Sequence, residues 1–495
     1  SLVGSEMCIR DSYMNTKFFK YIIPALSLVF SVNFTSCLGD LDVTPIDPNL
    51  NVEFDQNANF AKIYAGLAIT GNKGPDGQGD IADTDEGASG LMRMLFNLNE
   101  LPTDEAICAW SGDVDVYPLN FAKFTASNGV VLNMFNRLYI QIAQCNNFLI
   151  QTEGKDDEES LTQRAEVRFI RALDYYYLID LYGNVPFVDE NTGIGTYVPE
   201  RITRANLYTY IEKELKEIEP QMKAPRANVY GRADQAAVWM LLSRLYLNAE
   251  VYTGDPQWNA CIQECDDIIN SGKYSLDINY SDPFKAHNEN SLENILVIPY
   301  DEIFATGFNY HLAALHGANQ KTYDLVGSPW GAGAYKGIPQ FIDTYDPDDE
   351  RLNATWLGGP QYASDRTPLT GSYDLMGQPL IFVNKMPNGI FTGEAEGYRW
   401  LKYEVEMGAR SELNNDLVLF RLTQVHMMKA ECLLRTGKAD QAASIVSMVR
   451  KRAFKEHPEK AIVSGAQLQE KSCYKYGTVE NLSLIHISEP TRLQL

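Results

Sequence analysis

Helical periodicity in several long segments constrains the fold of this chain more than any other feature. In residues 161–187, LTQRAEVRFIRALDYYYLIDLYGNVPF, apolar side chains recur every three or four positions, which is the spacing of one face of an α-helix. Gly183 and Pro186 are expected to end this helix. Residues 233–252 and 258–276 repeat the pattern. The predicted core faces comprise Ala165, Phe169, Ala172, Leu173 and Tyr176, then Ala237, Leu241, Leu245 and Ala249, then Cys261, Cys265 and Ile268.

Paired helices with small residues at their crossings indicate a stack of helical repeats. Residues 419–453 and 233–276 both read as two helices joined by a glycine-containing turn, which is typical of tetratricopeptide-like scaffolds. Two long glycine-rich regions, 70–128 and about 280–410, interrupt the helices, and loops of this length usually bind a ligand. The sequence therefore predicts an all-α fold, in which a tetratricopeptide-like helical-repeat scaffold carries the ligand site on long irregular loops.

The formal net charge of −23 argues against several classes of partner. Nucleic-acid binding requires clustered Lys and Arg, and an anionic membrane surface would repel a body of this charge. The apolar content of 45% is typical of a globular protein with a sizeable core. We therefore expect a neutral ligand and no nucleic-acid partner.

The sequence lacks recognisable catalytic and metal-binding motifs. The eight cysteines form no CxxC pair, and no HExxH, GxSxG or Walker A pattern occurs. Cys261 and Cys265 lie one helical turn apart and are expected in the core, and His311 and His316 are expected as loop or core histidines. Residues 346–351, DPDDER, offer possible calcium ligands, but a solvated acidic turn is the simpler expectation. We expect a protein that is not an enzyme, with no cofactor and no metal.

The N-terminal region predicts export and lipid attachment. Two lysines precede twelve mostly apolar residues, YIIPALSLVFSV, which are too few to cross a bilayer. Thr35 and Ser36 then precede Cys37, as at a lipoprotein-type cleavage site. We expect residues 14–36 to be a lipoprotein signal peptide and Cys37 to be the lipidated first residue of the mature chain. The alternative is an ordinary signal peptide followed by an incidental cysteine.

Both ends of the sequence are expected to be foreign to the natural protein. Residues 1–13 precede the signal peptide, and residues 482–495 include SLIHISEPTRLQL. Both stretches look like translated adapter sequence, so we leave them out of the fold. The expected folded domain is residues 37–481.

Four segments of the chain resemble the SusD/RagB family. They are AEVRFIRALDYYYLIDLYGNVPFV, GRADQAAVWMLLSRLYLNAEVY, the helix pair that ends in Arg452 and Ala453, and NLNELPTDEAICAW ahead of the first predicted loop. The resemblance extends from residue 37 to about 481 and implies stacked tetratricopeptide-like units. Members of the family are surface-exposed lipoproteins of the outer membrane. They capture glycans or other nutrients and form a lid on a SusC-like TonB-dependent transporter.

The C-terminal end departs from the family pattern. Family members continue past the helix that ends in the Arg-Ala pair, whereas KSCYKYGTVENL here runs directly into the foreign tail. We therefore expect that the C-terminal part of the domain is truncated.

The resemblance puts the ligand platforms in two loops that contain tryptophans. Sugar rings have apolar C–H faces that stack on aromatic rings, and their hydroxyls need fixed polar partners. We expect Trp110 and Trp330 to bind glycan, with Tyr335 as a further ring. The alternative is that each ring anchors its loop in the core. Asp104 is expected either to accept hydrogen bonds from sugar hydroxyls or to cap a helix.

These observations predict a surface-exposed, lipid-anchored outer-membrane protein that binds oligosaccharide or polysaccharide. It would deliver this ligand to a SusC-like TonB-dependent transporter. One alternative is a surface glycoside hydrolase, which needs two carboxylates about 5 to 10 Å apart across a cleft. The other is a binder of peptide or protein within the same family, which a flat polar loop surface without exposed rings would favour.

Overall fold

A computed structural model describes residues 54–71, 79–81, 90–192, 198–390, 392–472 and 474. The chain divides into two units, and the second, residues 56–495, contains every helix and strand given below. The expected signal peptide, Cys37 and both adapter-like stretches lie outside the described residues.

Helices make up most of the regular structure. They pack pairwise, with α3 on α4, α4 on α5, α6 on α8, and α12 on both α8 and α13. This arrangement confirms the predicted all-α, tetratricopeptide-like scaffold. The helices are α1 (Gln56–Ala68), α2 (Leu91–Asn99), α3 (Gly129–Gln151), α4 (Glu158–Leu181), α5 (Arg204–Ile218), α6 (Gln235–Leu247), α7 (Ala249–Thr253), α8 (Trp258–Asn270), α9 (Tyr310–Ala314), α10 (Pro339–Ile342), α11 (Glu350–Thr355), α12 (Leu422–Arg435) and α13 (Ala439–Arg450).

Side-chain caps fix where the scaffold helices begin. The side chain of Asn128 accepts hydrogen bonds from the amides of Val130 and Val131 at the start of α3. Asp157 caps α4 and Asp234 caps α6 in the same way. These caps satisfy amides that have no partner in the first turn of a helix, so the start of each helix is encoded locally.

The predicted apolar faces of the helices lie in the core. Every residue of the three predicted faces is buried. Cys261 and Cys265 are fully buried free thiols, and the Cys265 sulfur lies 3.6 Å from the Ser243 hydroxyl of α6. The prediction that these cysteines are small core residues is confirmed. In the part of the chain that the structure describes, no helix is both long enough and apolar enough to span a bilayer.

Short strands, which the sequence did not predict, organise the irregular regions. A four-stranded antiparallel sheet has the order β1-β5-β9-β6, and three two-stranded sheets pair β10 with β4, β2 with β3, and β7 with β8. The strands are β1 (Ala106–Cys108), β2 (Val185–Pro186), β3 (Arg201–Ile202), β4 (Asn294–Ile298), β5 (Tyr335–Gly337), β6 (Trp356–Leu357), β7 (Gly359–Pro360), β8 (Ile381–Phe382), β9 (Tyr398–Trp400) and β10 (Leu417–Arg421).

The pairing of β1 with β5 joins the two predicted ligand loops. Cys108 lies opposite Tyr335, and the Ala109 amide donates to the Ala334 carbonyl at 3.0 Å, which continues the ladder by one residue. Trp110 comes directly after this pairing, and the chain enters β5 from the Trp330 loop. The sheet therefore brings the Trp110 loop and the Trp330 loop to the same end of the β1–β5 pair.

The outer side of β1 is closed by one side chain. Asn120 accepts a hydrogen bond from the Cys108 amide at 2.9 Å and donates one to the Cys108 carbonyl at 2.8 Å. These backbone groups face away from β5, because the alternate residues of an antiparallel strand bond to opposite sides. Asn120 thus satisfies the outward-facing amide and carbonyl of Cys108, two residues before Trp110.

Candidate ligand-binding site

Two tryptophans from distant parts of the sequence meet at the end of the β1–β5 pair. The ring centroids of Trp110 and Trp330 lie 5.9 Å apart, and the ring planes are inclined by 40°. Both residues are half-buried, so part of each remains accessible. We call this pair of rings the indole platform.

The loop that carries Trp110 is held by its own turn. The Asp113 amide donates to the Trp110 carbonyl at 3.0 Å. The Asp113 carboxylate in turn accepts hydrogen bonds from the amides of Asp115 at 3.0 Å and Val116 at 2.8 Å. An aspartate that bonds to the amides two and three residues ahead stabilises a tight turn. Trp110 is therefore presented by a rigid backbone.

The loop that carries Trp330 is tied to helix α9. The Trp330 amide donates to the Leu312 carbonyl at 2.6 Å, and the Ala334 amide donates to the Ala313 carbonyl at 2.6 Å. Gly333 has a φ of +78°, and a Cβ at this position would lie 2.3 Å from the Ala314 carbonyl oxygen. Only glycine fits there, so the close approach of loop and helix depends on that residue.

Tyr335 lies beneath the indole platform rather than on it. Its side chain is fully buried, and its ring centroid lies 6.1 Å from that of Trp110. The Tyr335 hydroxyl donates to the Asn97 side chain at 2.9 Å, and Phe96 packs edge-on against the ring at 4.9 Å. The rings of Phe96, Tyr310 and Trp110 surround Tyr335, so it packs beneath Trp110 instead of facing a ligand as expected.

Asp104 lies away from the indole platform. The backbone ladder between residues 105–109 and 334–338 separates it from Trp110, and the Asp104 carbonyl accepts a hydrogen bond from the Tyr474 hydroxyl at 3.0 Å. Asp104 and Trp110 thus lie at opposite ends of β1, so the structure does not bring them together. The helix-capping alternative is wrong, because the element that follows Asp104 is a strand.

Arg93 is a residue of the site that sequence reasoning missed. It projects from α2, is half-buried, and its guanidinium carbon lies 5.9 Å from the centroid of the Trp330 ring. A guanidinium has five N–H donors and no acceptor, so Arg93 places hydrogen-bond donors and a positive charge beside the indole platform. No local motif marks Arg93, because its proximity to Trp330 arises only when α2 packs below the loops.

The other singled-out polar residues are either buried in the core or paired with a neighbouring side chain. His311 and His316 are buried, as expected for core histidines. Lys460 pairs with Asp346 at 2.9 Å and with Asp348 at 2.5 Å, so two carboxylates of the DPDDER turn are engaged by a basic side chain. Among the described residues, no group of three or more His, Cys, Asp and Glu side chains could hold a metal ion.

Comparison with known families gives two matches that together cover most of the chain. A family described as starch-binding and associating with the outer membrane matches residues 41–247. The SusD family matches residues 270–469.

Individual known proteins and solved structures also resemble this chain, in sequence or in fold. The starch-binding protein SusD of Bacteroides thetaiotaomicron is 44% identical over 473 residues, which cover 89% of this chain and 85% of that protein. A SusD-like carbohydrate-binding protein from Bacteroides fragilis has a similar fold, with a TM-score of 0.62 at 20% identity over 83% of this chain and 80% of that one. Surface glycan-binding protein A from Bacteroides thetaiotaomicron, solved in complex with laminarihexaose, also has a similar fold. Its TM-score is 0.59 at 20% identity, over 81% of this chain and 82% of that one. The chain therefore belongs to the SusD/RagB family.

Proposed function

We propose that this protein binds glycan at the cell surface through the indole platform. The observation that carries the proposal is that two partly exposed tryptophans, Trp110 and Trp330, hold their ring centroids 5.9 Å apart on two loops with fixed backbones. Aromatic faces held in place beside hydrogen-bond donors suit the C–H faces and hydroxyls of sugars. The Arg93 guanidinium carbon lies 5.9 Å from the centroid of the Trp330 ring.

The inclination of the two indoles favours a curved glycan. Because the ring planes differ by 40°, successive sugars can each lie on one ring only when the glycan turns between them. Helical α-glucans have this property, whereas a flat ribbon does not. The 44% identical relative is a starch-binding protein, so starch and its oligosaccharides are the first ligands to test.

The proposed setting is the outer surface of the outer membrane. Lipidation at Cys37 would anchor the protein there, and a SusC-like TonB-dependent transporter would receive the bound glycan. The family match described as associating with the outer membrane supports this setting. An affinity between micromolar and millimolar, about −8 to −4 kcal/mol, would allow release into the transporter.

The two alternatives make different demands on the site. A surface glycoside hydrolase would release new reducing ends from the bound polysaccharide, and a binding protein would not. A peptide binder would need a flat polar surface at the loops, whereas the rings of Trp110 and Trp330 are partly accessible there. Relatives named as binding proteins also favour binding without catalysis.

Affinity gels that contain amylopectin or laminarin test the proposal. We expect the parent protein to be retarded by amylopectin, and Trp110→Ala and Trp330→Ala each to weaken the retention about two- to tenfold. The physical reason is that one aromatic contact contributes about 0.5 to 1.5 kcal/mol, and about 1.4 kcal/mol corresponds to a factor of ten.

Trp258→Ala serves as the matched control. Trp258 is also a half-buried tryptophan, but it opens α8 and packs against Arg435 in the scaffold. This variant should migrate like the parent in every gel, and thermal unfolding should verify that all variants are folded. Equal retention of the parent and both platform variants on a glycan that the parent binds would refute the site, and new reducing ends would refute a purely binding role.

A further inference from the structure

A second loop presents an exposed tyrosine beside the indole platform. Tyr373 lies in the tight turn between Gly371 and Gly377 and is 57% exposed. The Gly377 amide donates to the Gly371 carbonyl at 3.1 Å, and the Gln378 amide donates to the Leu375 carbonyl at 2.8 Å. We call residues 371–377 the tyrosine turn.

The tyrosine turn adjoins the Trp330 loop directly. A Cβ placed on Gly331, the residue after Trp330, would lie 3.8 Å from the Tyr373 hydroxyl oxygen. The Gly331 carbonyl accepts a hydrogen bond from the Gly317 amide at 2.8 Å, and the ring of His316 packs edge-on against Tyr373 at 6.1 Å. Tyr373 therefore stands at the rim of the same loop that presents Trp330.

A buried carboxylate holds the tyrosine turn from below. Glu394 is 1% exposed and accepts hydrogen bonds from the amides of Ser372 at 2.5 Å and Leu375 at 2.7 Å, on either side of Tyr373. Its third partner is Nε2 of the buried His316 at 2.9 Å. Burial alone would raise the pKa of Glu394, but these hydrogen bonds together lower it, so the carboxylate is ionised and binds all three donors.

The histidine in this network has a defined tautomer. Nδ1 of His316 accepts a hydrogen bond from the Ala318 amide at 3.0 Å, so the proton resides on Nε2 and points at Glu394. Burial lowers the pKa of His316, which keeps the ring neutral. The base of the Trp330 loop is thus linked through His316 and Glu394 to both flanks of Tyr373, and this linkage fixes the position of an exposed ring.

We infer that Tyr373 forms a second wall of the glycan site, so that the site takes an oligosaccharide that extends from the indole platform to the tyrosine turn. The inference rests on the proposed function. Tyr335 is buried to support the platform, whereas Tyr373 keeps more than half of its surface accessible although its backbone is firmly anchored. A ring that is both rigid and accessible binds at low entropic cost. A glycan that lies on Trp330 and continues past Gly331 toward Tyr373 would meet this ring, so its contribution is expected to grow with the length of the ligand.

Calorimetric titration with maltose and with maltoheptaose tests the inference, with laminaribiose and laminarihexaose run in parallel. We expect Tyr373→Ala to weaken binding of the longer oligosaccharide about two- to tenfold and to change binding of the disaccharide less. Tyr373→Phe should restore most of the affinity because it keeps the ring. A purely structural role for Tyr373 would not depend on the length of the ligand.

Tyr362→Ala is the control for loss of an exposed tyrosine from this region, since Tyr362 is 46% exposed and has no described contact with the Trp330 loop. It should bind every ligand like the parent. If Tyr373→Ala binds the longer oligosaccharide like the parent while Trp330→Ala does not, the inference is wrong and the proposed function stands. If the parent binds none of the four sugars, the proposed function fails and the inference fails with it.

Discussion

Burial sets the protonation state of a histidine next to the backbone contact that holds Trp330. His311 lies in α9, is 3% exposed, and precedes Leu312, whose carbonyl holds the Trp330 amide. Burial lowers the pKa of His311 to about 4. The ring is therefore neutral at pH 7, and protonation would introduce a charge below the Trp330 loop.

We expect His311→Leu to make folding less sensitive to acid. The folded-state pKa of about 4 lies below the ordinary value of 6.5, so between these values the unfolded chain binds a proton that the folded chain does not. The parent thus loses stability as the pH falls from 6.5 to 4, by up to about 3 kcal/mol. The variant lacks this loss. Its free energy of unfolding minus that of the parent should therefore increase as the pH falls from 6.5 to 4.

Urea unfolding of both proteins at pH 7, 5.5 and 4.5 provides the measurement. The comparison with the parent is needed because burial raises the pKa of Glu264 to about 7, and this carboxyl acts in the opposite direction. A difference between parent and variant that stays constant across the three pH values would contradict the prediction.

At the scale of elements, a buried glutamate joins the irregular region to the C-terminal helices. Glu293 directly precedes β4 and is fully buried. It pairs with Arg421 before α12 at 2.9 Å and with Arg452 after α13. Burial disfavours ionisation of Glu293, but the hydrogen bond from Arg452 and the charge of Arg421 outweigh it and lower the pKa of Glu293.

Glu293→Gln should destabilise the fold by about 3 to 5 kcal/mol, because it leaves two guanidinium groups without a buried counter-charge. Glu431→Gln is the control, since it breaks the partly exposed pair of Glu431 with Arg435 within α12 and should cost less than about 1 kcal/mol. Equal denaturation midpoints for the two variants would show that the Glu293 network contributes little.

The sequence predicted the scaffold well because helices are encoded locally. The spacing that places Phe169 and Leu173 on one face is contained within a few turns, and those residues are buried. The sheet was missed because β1 and β5 have three residues each and lie far apart in sequence, too short for an alternating pattern. Both tryptophans were found by residue type and family resemblance, whereas Arg93 lies near them only in the folded chain.

At the scale of the whole molecule, the net charge and the predicted lipid anchor would have opposite effects on attachment to a membrane. The net charge of −23 opposes adsorption to an anionic membrane surface. Attachment through a lipidated Cys37 would not depend on surface charge, since each buried acyl CH₂ contributes about 0.8 kcal/mol. Two or more acyl chains would therefore outweigh the repulsion.

Cys37→Ser should release the protein from the membrane fraction of a host that processes lipoproteins, because the acceptor sulfur is lost. Fractionation followed by immunoblotting measures the distribution, and a high-salt wash of the parent is the control, since lipid attachment resists salt. The released variant should still bind the glycan that the parent binds. Membrane retention of the variant equal to that of the parent would contradict lipid attachment at Cys37.

The side chain that closes β1 has a consequence for crowding. Proteins held at high density on a surface meet each other repeatedly, and an unpaired strand edge would invite intermolecular sheet formation. Asn120 occupies the outward amide and carbonyl of Cys108, so a neighbouring molecule cannot pair its backbone with this residue. The end of β1 that leads into Trp110 is thus protected from intermolecular pairing at Cys108 by a side chain of the same molecule.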